Sequence, residues 1–175
     1  MYFIAIIPPD SISEEVLEFK RRAFEKYGVR SSMKSQAHIT LIPPFHSSLE
    51  DLKDKMEILK KFLIKFEPFE IKLKNFSCFG ERTIYIDVIP GDKFFDFYLN
   101  MKKSCQEFFK FDIREFSPHI TIVNRDIPDG RFQEIWGDFS QREYKREFLA
   151  DTVALFRYID GKWEIEERIK LLSLF

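Results

Sequence analysis

One short pattern occurs twice in this chain of 175 residues and constrains its fold more than any other feature. His38-Ile39-Thr40-Leu41 lies in the first half, and His119-Ile120-Thr121-Ile122 lies in the second. Each copy alternates polar and apolar residues, which is the period of a half-buried β-strand. Alternate side chains of a strand share a face, so each His would stand beside its Thr while the apolar residues enter a core. The chain therefore predicts two related strands.

The remaining segments predict an α+β fold. Helical spacing of apolar residues alternates along the chain with short strand-like runs, and no linker or low-complexity segment interrupts them. We expect a single domain over residues 1–175, made of two pseudo-symmetric lobes. Each lobe would be a small, mostly antiparallel sheet covered by helices, with a cleft between the lobes. The predicted strands are 2–7, 37–42, 69–74, 83–89, 118–123, 148–158 and 162–172, the last two joined as a hairpin by Asp160-Gly161.

Composition excludes several classes of protein. The chain has 28 Lys and Arg against 29 Asp and Glu, which argues against a general nucleic-acid coating protein but leaves room for one basic cleft. Cys78 and Cys105 read as reduced thiols, and no metal-ligand spacing accompanies them. Since residues 1–9 lack a basic leader and no run is long enough to cross a membrane, we expect a cytoplasmic protein with no membrane association. No feature indicates an obligatory protein partner.

The two His-x-Thr phrases suggest acid–base chemistry at phosphorus. Histidine titrates near neutrality, so one imidazole can accept a proton while a second, charged one donates a proton. A threonine hydroxyl on the same face can donate a hydrogen bond to a phosphate oxygen. A single His-x-Thr strand is more often structural, but repetition in the same setting favours function. We therefore predict that His38, Thr40, His119 and Thr121 form one catalytic site.

Both phrases, each with a hydrophobic residue in last position, resemble the motif pair of the two-histidine (2H) phosphoesterase superfamily, the LigT and 2',5'-RNA ligase-like group. The resemblance implies a bilobal fold and a phosphodiesterase that needs no metal or cofactor. It would open 2',3'-cyclic phosphates of RNA 3' ends or small nucleotides to 2'-phosphates. Alternatives within the resemblance are 2',5'-RNA ligation, hydrolysis of another nucleotide phosphodiester, and a non-catalytic nucleotide- or RNA-binding module with the same cleft.

The sequence departs from this family at one position. Members similar to LigT often carry an Arg five residues after the second His, whereas this chain has Asn124, followed by Arg125. Moving one residue along a strand reverses the face on which a side chain lies. Arg125 would therefore reach the substrate only if the strand had already ended.

Four other residues are candidates for substrate binding. Arg82 and Arg125 could meet a phosphate, and Phe45 and Tyr85 could stack on a base. The first helix and the loop after it carry several cations, which we interpret as a solvated face. Of these, Arg30 and Lys34 approach the first His strand and could form a basic rim; the others are Lys20, Arg21, Arg22 and Lys26.

Overall fold

The computed structural model describes residues 1–110 and 117–171. In these residues, two four-stranded sheets combine with four α-helices and a 3₁₀ turn at Ser31–Lys34. The elements in chain order are β1 (Tyr2–Ile6), α1 (Asp10–Tyr27), β2 (Ile39–Phe45), α2 (Leu49–Leu63), β3 (Phe69–Phe79), β4 (Thr83–Ile89), α3 (Asp92–Phe109), β5 (His119–Asn124), α4 (Phe132–Ser140), β6 (Lys145–Ala150), β7 (Thr152–Ile159) and β8 (Lys162–Lys170).

All strand pairs are antiparallel, and the two sheets are separate. The first sheet has the order β2-β1-β7-β8, and the second has the order β5-β4-β3-β6. The chain therefore begins in the first sheet, builds the whole second sheet, and returns to the first. Both His-x-Thr phrases belong to edge strands: His38 immediately precedes β2 of the first sheet, and His119 begins β5 of the second. The predicted α+β fold with two small antiparallel sheets is confirmed.

Two helices, α1 and α3, link the two sheets. Although α1 follows β1 of the first sheet, it contacts β5, and its Phe19 packs edge-on against Phe76 of β3 at 5.0 Å between ring centroids. Helix α3 contacts both β2 and β3. As a result, apolar residues of both sheets belong to one continuous core.

The sequence prediction of one strand over 148–158 is wrong. The chain divides at Asp151, so that β6 joins the second sheet and β7 joins the first. The carbonyl oxygen of Asp151 accepts a hydrogen bond from Leu171 N at 2.8 Å, and its carboxylate accepts one from Thr152 Oγ1 at 2.8 Å. These bonds satisfy polar groups where the backbone leaves one sheet for the other.

The closing hairpin is confirmed. Strands β7 and β8 pair across Asp160 and Gly161, whose φ angles of 48° and 84° are the positive values that a type I′ turn requires. The predicted end of the last strand, at position 172, lies outside the described residues. Strand β2 also runs further than predicted, through Pro43 and Pro44, which an edge strand accommodates because one side needs no N–H donors.

One carboxylate joins α1 and α4, which both contact the second sheet. Asp138 of α4 accepts two hydrogen bonds from Arg22 of α1, at 2.7 and 3.0 Å, and one from Tyr27 Oη at 3.1 Å. Arg142 and Lys26 donate further bonds at 3.1 and 3.3 Å. The bonds from Arg22, followed by those from Arg142, Lys26 and Tyr27, hold the pKa of Asp138 well below its usual range.

We expect Asp138→Asn to lower the free energy of unfolding by about 1–3 kcal/mol near pH 7, because it removes a charged acceptor from several donors. A depressed pKa stabilises the fold above the unfolded value, about 4, and this contribution is lost as the pH falls through the folded value. The difference between variant and wild type should therefore narrow below about pH 4. Urea unfolding of both proteins at several pH values measures this difference in the free energy of unfolding. Asp54→Asn, at an exposed position of α2, is the control, and an equal loss in that variant would contradict the assignment.

Candidate active site

His38 lies immediately before β2 with its ring fixed by one hydrogen bond and two aromatic neighbours. Its Nδ1 is 2.9 Å from the carbonyl oxygen of Gln36. Since a carbonyl oxygen only accepts, Nδ1 carries a proton in this arrangement, and Nε2 of the neutral ring keeps its lone pair. The ring lies against Phe3 and Phe156, with centroids 4.8 and 5.6 Å away.

His119 repeats this arrangement at the start of β5. Its Nδ1 is 2.8 Å from the carbonyl oxygen of Ser117, again the residue two positions earlier. Its ring lies 5.0 Å from both Phe79 and Tyr85. Both histidines therefore use Nδ1 to fix the ring and leave Nε2 for other chemistry. The local alternation that buries Ile39, Leu41, Ile120 and Ile122 turns both histidines to the opposite face of their strands.

A cleft of about 350 Å³ brings together residues of both sheets. His38 and Thr40 line it from the first sheet, and Thr121 and Asn124 line it from β5. Its other lining residues are Met1, Phe3, Lys20, Ser31, Ser32, Lys34, Ser35, Pro44, Tyr158 and Trp163. His119 is not among the lining residues, but it lies on the same strand face as Thr121, and its charge acts on His38. Residues of both His-x-Thr phrases thus line one cleft.

The two imidazoles have unequal electrostatic surroundings. Burial lowers the pKa of His38 to about 4; the hydrogen bond to Gln36 opposes this effect, and the positive charges of Lys20 and His119 reinforce it. Burial also lowers the pKa of His119, but the hydrogen bond to Ser117 and the negative charge of Asp87 both oppose it. Asp87 is the residue of β4 that pairs with His119 across the sheet. His119 therefore has a carboxylate neighbour, whereas His38 has a cationic one.

Lys20 is a cleft residue that the sequence interpretation missed. The predicted position of Lys20 on a solvated helix face is wrong, because only 2% of its surface is exposed. Its Nζ donates to the carbonyl oxygen of Ser35 at 2.8 Å. A signal for this was present: Lys20 lies four residues after Val16 and three before Ala23, and both are fully buried on the inner face of α1.

The arginines proposed for substrate binding lie outside the cleft lining. Arg82 and Arg125 are both exposed, and the backbone N–H of Arg125 donates to the carbonyl oxygen of Arg82 at 2.7 Å. Arg125 has a φ of 66°, so the strand has ended at this residue. Asn124, at the position where an Arg was expected, lines the cleft and accepts a 3.4 Å hydrogen bond from Thr83 Oγ1.

The two aromatic candidates occupy different settings. Tyr85 is buried beside His119 and stacks on Phe79 at 4.2 Å between centroids. Phe45 packs edge-on against Phe109 at 5.2 Å, on the core side of β2. Of the two residues suggested for a basic rim, Lys34 lines the cleft, whereas the guanidinium of Arg30 lies 6.0 Å from the ring centroid of Phe24.

Neither a candidate metal site nor a membrane-spanning helix occurs in residues 1–110 and 117–171. No group of three or more His, Cys, Asp or Glu side chains in these ranges is arranged to hold a metal ion. None of the helices in the same ranges is long and apolar enough to span a bilayer.

Comparison with known proteins identifies the relatives of this chain. It is 27% identical to a protein of Oceanobacillus iheyensis provisionally named a phosphoesterase, over 97% of both chains. A Geobacillus kaustophilus protein with the same provisional name is 26% identical over 95% of this chain and 93% of its own.

Solved structures show the same fold. TT0787 of Thermus thermophilus superposes with a TM-score of 0.73 at 18% identity, over 97% of both chains. Escherichia coli LigT, in complex with 3'-AMP, superposes with a TM-score of 0.74 at 17% identity, over 98% of both. The family model of the 2'-5' RNA ligase superfamily matches residues 8–162. The chain therefore belongs to the 2'-5' RNA ligase superfamily, the group of 2H phosphoesterases that its two His-x-Thr phrases predicted.

Proposed function

We propose that this protein is a metal-independent phosphodiesterase that opens 2',3'-cyclic phosphates of RNA ends or nucleotides to 2'-phosphates. The observation that carries the proposal is the matched pair of imidazoles, each with Nδ1 bonded to a backbone carbonyl and Nε2 left for proton transfer. Membership of a superfamily of phosphoesterases, and relatives provisionally named as such, support a phosphodiesterase. The LigT structures in complex with 3'-AMP and with ATP support a nucleotide ligand.

The reaction needs one base, one acid and donors to the phosphate oxygens. The base removes a proton from water as its oxygen attacks phosphorus, and the bond from phosphorus to the ribose 3' oxygen breaks. The acid gives a proton to that 3' oxygen, and the phosphate remains on the 2' oxygen. The hydroxyls of Thr40 and Thr121 donate hydrogen bonds to the non-bridging oxygens, where negative charge increases in the transition state.

We propose that the two histidines take these roles according to their unequal surroundings. His38, whose pKa burial lowers to about 4, is neutral over the working range and acts as the base. His119, which Asp87 helps to keep protonated, acts as the acid. The negative phosphate of a bound substrate adds to this by favouring the charged form of His119.

A nucleoside has an aromatic surface available in the same cleft. Trp163 and Tyr158 line the cleft and contact each other edge-on at 5.0 Å. Base stacking on aromatic side chains tolerates different bases because every base has a π-face. We propose that the base of the substrate lies against this pair while its cyclic phosphate lies at the histidines.

Replacing either histidine tests the catalytic assignment. We expect His38→Ala and His119→Ala each to reduce kcat by about 10²–10⁴ on 2',3'-cyclic nucleotides and on short RNAs that end in a cyclic phosphate, because each loses one proton-transfer group. EDTA is present throughout. His46→Ala, at the exposed third histidine, is the matched control and should retain wild-type rates.

Wild-type rates in both His38→Ala and His119→Ala would contradict the proposal. Binding of nucleotides by the wild-type protein without turnover of any substrate would instead identify a non-catalytic binding module. Joining of RNA ends through a 2',5' linkage, without hydrolysis, would identify a ligase.

The threonines should matter less than the histidines. We expect Thr40→Val and Thr121→Val each to lower kcat by about 10- to 100-fold, since each removes one neutral donor to the phosphate and leaves both imidazoles in place. Steady-state kinetics on a cyclic nucleotide measure the effect. Thr152→Val, whose hydroxyl bonds to Asp151 away from the cleft, is the control. A kcat loss as large as that of the histidine variants would contradict the donor role.

The pH dependence of kcat/KM should be bell-shaped in the acid range. The ratio kcat/KM rises as His38 loses its proton near pH 4, and it falls as His119, whose pKa is lowered by burial, loses its own proton. We expect Asp87→Asn to move the falling limb to lower pH, because the carboxylate that favours protonated His119 is gone. Asp54→Asn is the control. Movement of the rising limb alone in Asp87→Asn would reverse the two assignments.

A further inference from the structure

Lys20 is an almost completely buried cation at the boundary of two cavities. It lines the cleft that contains His38, Thr40 and Thr121, and it also lines a second cavity of about 300 Å³ beside it. Within the described residues, the hydrogen bond to Ser35 O is its only bond, and no carboxylate lies within ion-pair distance of its Nζ. An ammonium has three N–H donors, so two remain available.

A buried charge without a counter-ion is costly unless a ligand supplies one. Among the side chains that line the cleft, the cations are Lys20 and Lys34, and Lys34 is exposed. Arg82 and Arg125, which lie near the second His-x-Thr phrase, do not line the cleft. Lys20 is close enough to His38 for its charge to act on that imidazole. An anion held between the histidines and threonines would therefore lie near the Lys20 ammonium.

We propose that Lys20 binds the phosphate of the substrate, its ammonium donating hydrogen bonds to the non-bridging oxygens beside Thr40 and Thr121. This inference rests on the proposed function and names a residue from helix α1 that belongs to neither His-x-Thr phrase. The charge-assisted bonds compensate the negative phosphate, a task that Arg125 is not positioned to perform. The hydrogen bond to Ser35 fixes the ammonium in the wall of the cleft.

The charged and titratable groups that face Lys20 across its two cavities are few. His38 and Lys34 line the cleft with it, and Asp10 and Glu14 line the second cavity. Burial lowers the pKa of Lys20 to about 8, so its charge is present at pH 7 and is lost above pH 8. Loss of anion binding above pH 8 would therefore indicate deprotonation of Lys20, provided that the other four groups are the same in the proteins compared.

The test compares wild type with Lys20→Met and Lys20→Gln, and uses Arg21→Met, at an exposed position of the same helix, as the matched control. Inorganic phosphate is titrated calorimetrically near pH 7. We expect about 10- to 100-fold weaker phosphate binding in both Lys20 variants and little change in Arg21→Met. Both variants should melt at or above the wild-type temperature, because each removes a buried charge, and Gln can still donate to Ser35.

A second titration uses sulfate, whose charge does not change between about pH 7 and about pH 9.5. We expect wild-type affinity for sulfate to fall across this range more steeply than that of Lys20→Met, which has no ammonium to lose. Wild-type phosphate affinity in both Lys20 variants, equal pH dependence of sulfate binding, or failure of both variants to fold would overturn the inference. Loss of phosphate affinity in a protein that hydrolyses no cyclic phosphate would support the Lys20 site and overturn only the proposed function.

Discussion

The alternation of side chains along two edge strands determines both the core and the cleft of this protein. Ile39 and Leu41 of β2, and Ile120 and Ile122 of β5, are almost completely buried, and burying each contributes about 1.5–3 kcal/mol. A shift of either strand by one residue would expose its apolar pair and bury a histidine and a threonine. The hydrophobic effect on one face therefore fixes the position of the chemical groups on the other.

Repetition provides two similar groups, but acid–base catalysis requires two different ones. Both rings are held in the same way, by a hydrogen bond from Nδ1 to the carbonyl of the residue two positions earlier. The difference comes from neighbours outside the repeat: Asp87 pairs with His119 across the second sheet, whereas the charge of Lys20 acts on His38. The two halves of a nearly symmetric scaffold thus differ electrostatically, because a carboxylate acts on one histidine and an ammonium acts on the other.

The sequence predicted the features that depend on local periodicity and missed those that depend on packing between distant segments. The two His strands, the α+β class and the turn at Asp160-Gly161 follow from patterns of a few residues. The division at Asp151 does not, because apolar residues occur on both sides of it, at Phe148 and Leu149 of β6 and from Val153 onward in β7, although the two strands join different sheets. The charge of Lys20 favours a solvent-exposed position, so the prediction placed it on the outer face of α1. Its spacing from Val16 and Ala23 nevertheless indicates the buried face.

The segment after α1 is hydrogen-bonded to β5 and to the residue that follows it. Asp126, just beyond β5, accepts hydrogen bonds from the backbone N–H groups of Arg30 and Ser31, both at 2.8 Å. Ser32 Oγ donates to the carbonyl oxygen of Ile122 at 2.6 Å. These bonds attach the 3₁₀ turn to the strand that carries the second His-x-Thr phrase.

The same turn leads to Ser35, whose carbonyl fixes Lys20, and three residues later to His38. The ammonium and the first histidine are thereby held in a defined position relative to Thr121. Residues with no catalytic chemistry of their own set the geometry between the two halves of the site.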